Sequence, residues 1–357
     1  MKLISLICTL FLLGILPAHA QIFARYIDSV RIAYHMPELA VAVVSADSIM
    51  YQQCAGYKKI NTQLQATPTD RFRIGSCTKT ITAFIAALLV KEGKIKWDTK
   101  LFDIYPELKA KSNAAYHDIT LLDLLSFRTK LCKYTYTDPV PVRDQFTGNE
   151  DKQRYQFMQW ALGLPPVAGS AATSFSNPGY TMAGLMLERA SGRRYKQLVA
   201  DLGRQLDIDF RFGAPNSADD QQPWGHNSGL LPEPPGDNYK LEWLLPAGNI
   251  NMTVGDYAKF IQLQLQGLAG YSPLLSAAEF RFLHYGLPGF AVGWYWEEDE
   301  RHRRVSHHAG NPGTFLSQAY VHAAAGRGYI LLTNVQSPQA EEGLALVYAE
   351  MQRRYGK

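Results

Sequence analysis

Ser76 and Lys79 stand three residues apart in the stretch RFRIGSCTKTITAFIAALLV, residues 71–90. At that spacing on a helix two side chains share a face, so an amine lies beside a hydroxyl. Such a pair can do nucleophilic chemistry. A serine hydroxyl attacks only when a neighbouring base takes its proton, and a lysine serves as that base only when burial or nearby positive charge depresses its pKa. The element that must position the pair is legible in the same stretch. Ile81, Phe84, Ile85, Leu88 and Leu89 recur at spacings of three and four after the Gly75-Ser76 turn, and Gly93 follows the run. This predicts a core helix starting near Thr78. The partial positive charge at its N-terminus favours a developing alkoxide and disfavours an ammonium on Lys79. The same S-x-x-K spacing occurs on surface helices as a capping serine and a solvated lysine. The apolar run after Lys79 sets this one apart.

Composition bounds the remaining possibilities. The chain has 357 residues, 46% hydrophobic and 19% charged, enough for one large domain or two intimate ones. The net charge of +4 comes from interspersed signs, so no nucleic-acid surface is expected. No repeat or long low-complexity segment is present. Lys2, an apolar run over residues 3–16, Pro17 and the pattern Ala18-His19-Ala20 read as a secretory signal cleaved before Gln21. The run is short for a transmembrane helix, and Cys8 within it has no small-residue site before it. The expectation is an exported soluble protein, periplasmic or secreted, without stable membrane insertion after cleavage. Cys54, Cys77 and Cys132 then remain, an odd number without metal spacing. A Cys54–Cys132 disulfide stays open, though unpaired cysteines are expected. His302, His307 and His308 lack helical metal-ligand spacing, so neither a metal nor a cofactor is expected.

The chain divides into a strand-rich pair of ends and a helical middle. Helical spacing covers residues 22–35, and 39–45 with 49–57 reads as a hairpin around Ala46-Asp47-Ser48. Helices are expected at 121–127, 152–162, around 182–187, at 195–206 and at 254–268, with a loop at 138–149 and a long surface connection at 215–235. Residues 290–296, 304–308, 315–323 and 328–335 read as an antiparallel meander, and 339–353 as a closing helix. One sheet built from both termini, with helices inserted between, follows from this order.

Three motifs in order carry a family resemblance. They are Ser76-Cys77-Thr78-Lys79 after Arg73-Ile74-Gly75, then Phe175-Ser176-Asn177 within SFSNPGYTMAGLMLERASG, then His308-Ala309-Gly310. With the opening strand at 39–44 and Pro246-Ala247-Gly248 before a late helix, the span 39–335 resembles the serine β-lactamase and penicillin-binding protein superfamily. The resemblance is to its class C-like branch, which also holds esterases and D-amino-acid peptidases. The resemblance implies an α+β fold. An antiparallel sheet from the N- and C-terminal segments, about 21–75 and 285–357, would be flanked by helices, with a mainly helical insertion at about 76–284. Residues 1–20 would be the signal and 21–357 one domain.

The resemblance also implies roles. Ser76 would form an acyl-enzyme, and Lys79 would take its proton or hold the base. The backbone amides of Ser76 and Asn311, after Gly310, would bind the oxyanion. Asn177 would hold Lys79 and the substrate. His308, on an edge strand, would form the other wall and contact a carboxylate or shuttle a proton. The departures are specific. Phe175 stands where the branch has a tyrosine and cannot move a proton. Leu124-Leu125-Ser126-Phe127-Arg128-Thr129-Lys130-Leu131 lacks the histidine and glycine of L-L-S-H-T-S-G-L, and Asn249 replaces a glycine after Pro246-Ala247-Gly248. Two functions follow. One is a serine hydrolase acting on an ester, amide, β-lactam or D-amino-acid peptide, with a small-molecule or peptidoglycan-like substrate. Lys79 alone would then be the base, with deacylation relayed by His308, Ser174 or a water. The other is an impaired member of the fold serving as a ligand-binding or sensor domain. Substrate and oligomeric state are not fixed by the sequence.

Overall fold

The computed structural model describes residues 18–169, 172–217, 219–234 and 239–356. Most of the expected signal segment, through residue 17, lies outside these residues, and the first described helix runs Ala18–Ala33. Nine strands occur among the described residues: β1 Glu38–Val44, β2 Ile49–Gly56, β3 Arg71–Arg73, β4 Arg211–Phe212, β5 Ile250–Thr253, β6 Tyr295–Glu298, β7 Arg304–Gly310, β8 Leu316–His322 and β9 Arg327–Thr333. Six of them form one antiparallel sheet in the order β2-β1-β9-β8-β7-β6, which joins the two ends of the chain as expected.

The sheet divides two apolar layers by its pleat. Alternate β1 residues Ala40, Ala42 and Val44 face the helical middle, while Leu39, Val41 and Val43 face the first helix and the closing helix Pro338–Tyr355. Period-two alternation sends successive side chains to opposite faces, and here both faces are covered. β1 is therefore buried along its whole length, and its run of aliphatic residues reads as nearly continuous. Phe23 and Ile27 from the first helix meet Leu344, Val347 and Met351 from the last. Ser337 caps that last helix by accepting from Ala340 N, satisfying one of the N–H groups left free in the first turn.

Several boundaries differ from the sequence expectation for identifiable reasons. Residues 290–294 are not strand, because Ala291 N donates to Trp294 O and Phe290 N to Pro288 O, which folds the segment into turns before β6. A second sheet, β3-β5-β4, was not legible, since its strands are only two to four residues long. The 215–235 connection is not wholly superficial. His226 within it is fully buried, where its Nδ1 meets Asn334 O at 2.8 Å and its Nε2 accepts from Ile60 N. The described cysteines, Cys54, Cys77 and Cys132, are unpaired.

Candidate active site

Ser76 occupies a single 3₁₀ turn, Gly75–Cys77, that runs directly into the helix Thr78–Lys91. β3 delivers the chain to this turn: Arg73 pairs with Asn251, and Ile74 N donates to Ile250 O at 3.0 Å. The small sheet thus seats Ser76 beside the Pro246-Ala247-Gly248 segment, which is itself a short helix, Leu245–Gly248, rather than a loop. A Cβ on Gly248 would lie 3.6 Å from the carbonyl carbon of Gly75. Gly75 adopts φ of 49°, open mainly to glycine, and a Cβ there would fall 2.8 Å from the amide nitrogen of Asn311. The two amides expected to bind an oxyanion therefore come from segments in direct contact.

Lys79 is fully buried one turn further on. Its Nζ lies 2.9 Å from Ser76 Oγ, 2.8 Å from Asn177 Oδ1 and 2.7 Å from Ala247 O. The rings of Phe175 and Tyr180 lie 5.1 and 5.4 Å away. All of these neighbours are neutral. Burial lowers the Lys79 pKa from 10.5 to about 7, so holding the ammonium there costs roughly 5 kcal/mol relative to water. The helix tolerates this because Ile81, Phe84 and Ile85 are buried along it, each contributing roughly 1.5–3 kcal/mol.

Asn177 begins the helix Asn177–Ser191, which Ser176 caps by accepting from Gly179 N, with Pro178 in its first turn. This pair also clasps the loop ahead of it. Ser176 Oγ donates to Cys132 O at 2.8 Å and Asn177 Nδ2 to Tyr134 O at 2.8 Å. The second bond fixes the amide orientation and leaves Oδ1 for Lys79.

His308 lies on β7, which is not the edge strand. β6 occupies the edge, but its pairing ends at Tyr295 with His307, so 308–310 project beyond it. His308 is buried, and its Nδ1 meets Ala309 O at 2.8 Å while Nε2 has no partner. A carbonyl only accepts, so Nδ1 carries the proton and Nε2 is a bare acceptor. Burial, and secondarily the Lys79 charge, lowers the pKa to about 3. In this arrangement His308 is a neutral imidazole whose Nδ1–H is engaged by Ala309 O. Gly310 is required by close packing, since a Cβ would fall 1.9 Å from Ile74 O.

The departures form a coherent set. Phe175 packs on Phe127 at 5.1 Å, and Phe127, at φ of 59°, stacks on Phe290 at 4.2 Å. Arg128 pins that arrangement through Ser126 O, Phe290 O and Pro288 O. Apolar rings thus stand where the family pattern has a phenol and an imidazole, and they help to dry Lys79. Asn249 is satisfied by Arg73 and Glu242, at 3.2 and 2.7 Å, and its φ of −115° needs no glycine. Lys130 is exposed and Ser174 half-buried.

These residues line a cleft of about 680 Å³ that includes Ser76, Phe175, Asn177, His308, Gly310 and Asn311. The sequence expectation missed Tyr136, Tyr295, Leu241 and Leu244, which also line it. Nothing in their local sequence sets them apart, because only long-range packing brings them to the serine. Installing the absent phenol as Phe175→Tyr is expected to raise turnover of a chromogenic ester tenfold or more, since proton-transfer assistance is worth roughly 10²–10⁴-fold. An unchanged or lower rate would count against a limitation at this position.

The fold is that of the β-lactamases and transpeptidases, and it brings a serine, a lysine and an asparagine together beside one cleft. The chain belongs to the Beta-lactamase family, whose model matches residues 21–351. It is 22% identical over 310 residues to Protein flp of Staphylococcus aureus (strain MW2), covering 85% of this chain and 60% of that protein. The chain thus spans about 60% of the length of that relative. Among solved structures it is similar to a β-lactamase from Sulfitobacter sp. EE-36, with TM-score 0.74, 19% identity, and 95% and 100% of the two chains covered. It is also similar to the octameric penicillin-binding protein homologue from Pyrococcus abyssi, with TM-score 0.73, 17% identity, and 93% and 76% covered.

Proposed function

We propose that this protein is a serine hydrolase that works through an acyl-enzyme on Ser76, with Lys79 as the single general base. The observation that carries this reading is the valence match at Lys79. A neutral amine has two N–H donors and one lone pair. Two of its three partners, Asn177 Oδ1 and Ala247 O, can only accept. The lone pair is then left for Ser76 O–H, which is the arrangement a proton-abstracting base requires.

In the acylation step the Ser76 oxygen attacks a carbonyl carbon, and its proton passes to Lys79 Nζ. The negative charge that builds on the carbonyl oxygen is held by the amides of Ser76 and Asn311. Lys79 then returns the proton to the leaving oxygen or nitrogen as the acyl bond breaks. Water repeats the sequence in the opposite sense to release the acid, with Lys79 again the base. Esters, amides, β-lactams and D-amino-acid peptides all fit this scheme.

The test is intact-protein mass spectrometry after exposure to a fluorophosphonate. A single adduct is expected on the wild type and none on Ser76→Ala. The absence of any adduct on a cooperatively folded wild type would instead favour a ligand-binding or sensor role, the reading that Phe175 in place of tyrosine supports.

A further inference from the structure

The geometry points to a site selective for uncharged substrates: esters or amides with an apolar or aromatic acyl group and no carboxylate on either side of the scissile bond. This inference rests on the hydrolase reading above and specifies its substrate class. The argument begins with charge. Among the described residues lining the cleft there is neither arginine nor lysine, and the one carboxylate is that of the exposed Glu341. The two buried basic residues nearby do not line the cleft. Lys79 is held by its three partners, and Arg73 is fully buried, its Nη2 on Asn249 and its Nη1 3.7 Å from the Glu233 carboxylate. A substrate carboxylate entering the cleft would lose hydration without meeting a countercharge, which is costly in a partly dry site.

Several of the neutral donors in the lining are already engaged. The Thr135 hydroxyl lies 2.7 Å from that of Thr137 and 3.0 Å from Asp138 Oδ2, which places a second carboxylate behind this part of the rim. The Tyr136 hydroxyl donates to Asn311 Oδ1, and Ser317 Oγ to Ile74 O. His308 turns an acceptor, not a donor, to its surroundings. A lone pair there offers an anion no stabilisation.

The walls supply what an apolar group needs instead. Phe175 and Tyr295 line one side, backed by Phe127 and Phe290, with Phe290 4.5 Å from the Tyr295 ring. Leu241 and Leu244 line another part of the cleft. A volume of about 680 Å³ holds a drug-sized acyl group, and ring–ring contacts of this kind contribute roughly 0.5–1.5 kcal/mol beyond area burial.

Two matched pairs of probes test this at pH 8: benzylpenicillin against its methyl ester, and 4-nitrophenyl 4-carboxybenzoate against 4-nitrophenyl benzoate. Within each pair only the carboxylate differs substantially. The second-order rate of Ser76 acylation, read by intact mass, is expected to be at least tenfold higher for the neutral member of each pair that acylates. Equal rates, or a faster acid, would overturn the inference. Fluorophosphonate labelling separates this from failure of the hydrolase reading. Labelling at Ser76 with no reaction by any of the four probes overturns the substrate class and leaves the nucleophile standing. No labelling in a folded sample removes both.

Discussion

Lys79→Ala is expected to slow acylation of Ser76 by roughly 10²–10⁴-fold, the range for a positioned proton-transfer group, while a cooperative thermal melt persists. Lys79 is the group at 2.9 Å from Ser76 Oγ able to accept its proton, because Asn177 Oδ1 and Ala247 O face the amine and not the hydroxyl. The alanine variant leaves those two acceptors without their donor. An unsatisfied buried acceptor costs roughly 1–3 kcal/mol, though a water entering the vacated volume beside the cleft would recover part of it. Stability should therefore fall by a few degrees rather than collapse. The check is the fluorophosphonate labelling rate alongside a circular-dichroism melt. A wild-type labelling rate would remove Lys79 as the base, and loss of the cooperative melt would make its role structural.

The same residue sets the pH dependence. With the Lys79 pKa lowered to about 7 by burial, the amine is protonated and idle below that pH and free to accept a proton above it. The acylation rate should rise through about pH 7 and then level off. His308, lowered to about 3, is neutral throughout this range and should add no inflection between pH 5 and 9. A bell-shaped profile, or a rise near 10, would contradict this assignment.

Gly310→Ala is the second change with a large expected effect. Its new Cβ would fall 1.9 Å from Ile74 O and 2.6 Å from Ser317 Oγ. The nearer contact is with backbone, which does not yield as a flexible side-chain end would. β7 must move away from the Ser76 turn, and the Asn311 amide moves with it. Loss of one oxyanion donor costs roughly 10²–10³ in rate, so labelling and ester turnover should fall by at least about 100-fold. The distinguishing readout is Asn177 and Lys79 function in the same protein: the acylation pH midpoint should stay near that of the wild type, because Asn177 Oδ1 and Ala247 O, which hold the amine, lie outside β7. Wild-type turnover by Gly310→Ala would mean that the Asn311 amide is not part of the oxyanion site.

The sequence by itself determined the closeness of Ser76 and Lys79, the order of the three motifs and the joining of both chain ends into one sheet. These are local properties: i, i+3 spacing and helical and strand periodicity are each written in a few neighbouring residues. The tertiary structure decided what those residues can do. Phe127 and Phe175 read in sequence as two separate losses of function. In space they form one apolar stack with Phe290, 163 and 115 residues of chain removed from its partners, and that stack helps to keep the amine of Lys79 neutral. His308 reads as a wall residue able to meet an anion. Its hydrogen bond to Ala309 O instead leaves it an acceptor. Protonation state and tautomer depend on burial and on partners far away in the chain, so no local pattern encodes them. The short strands β3, β4 and β5 were invisible for the same reason, being held in register by pairing between residues up to 182 positions apart, as Arg71 and Thr253 are.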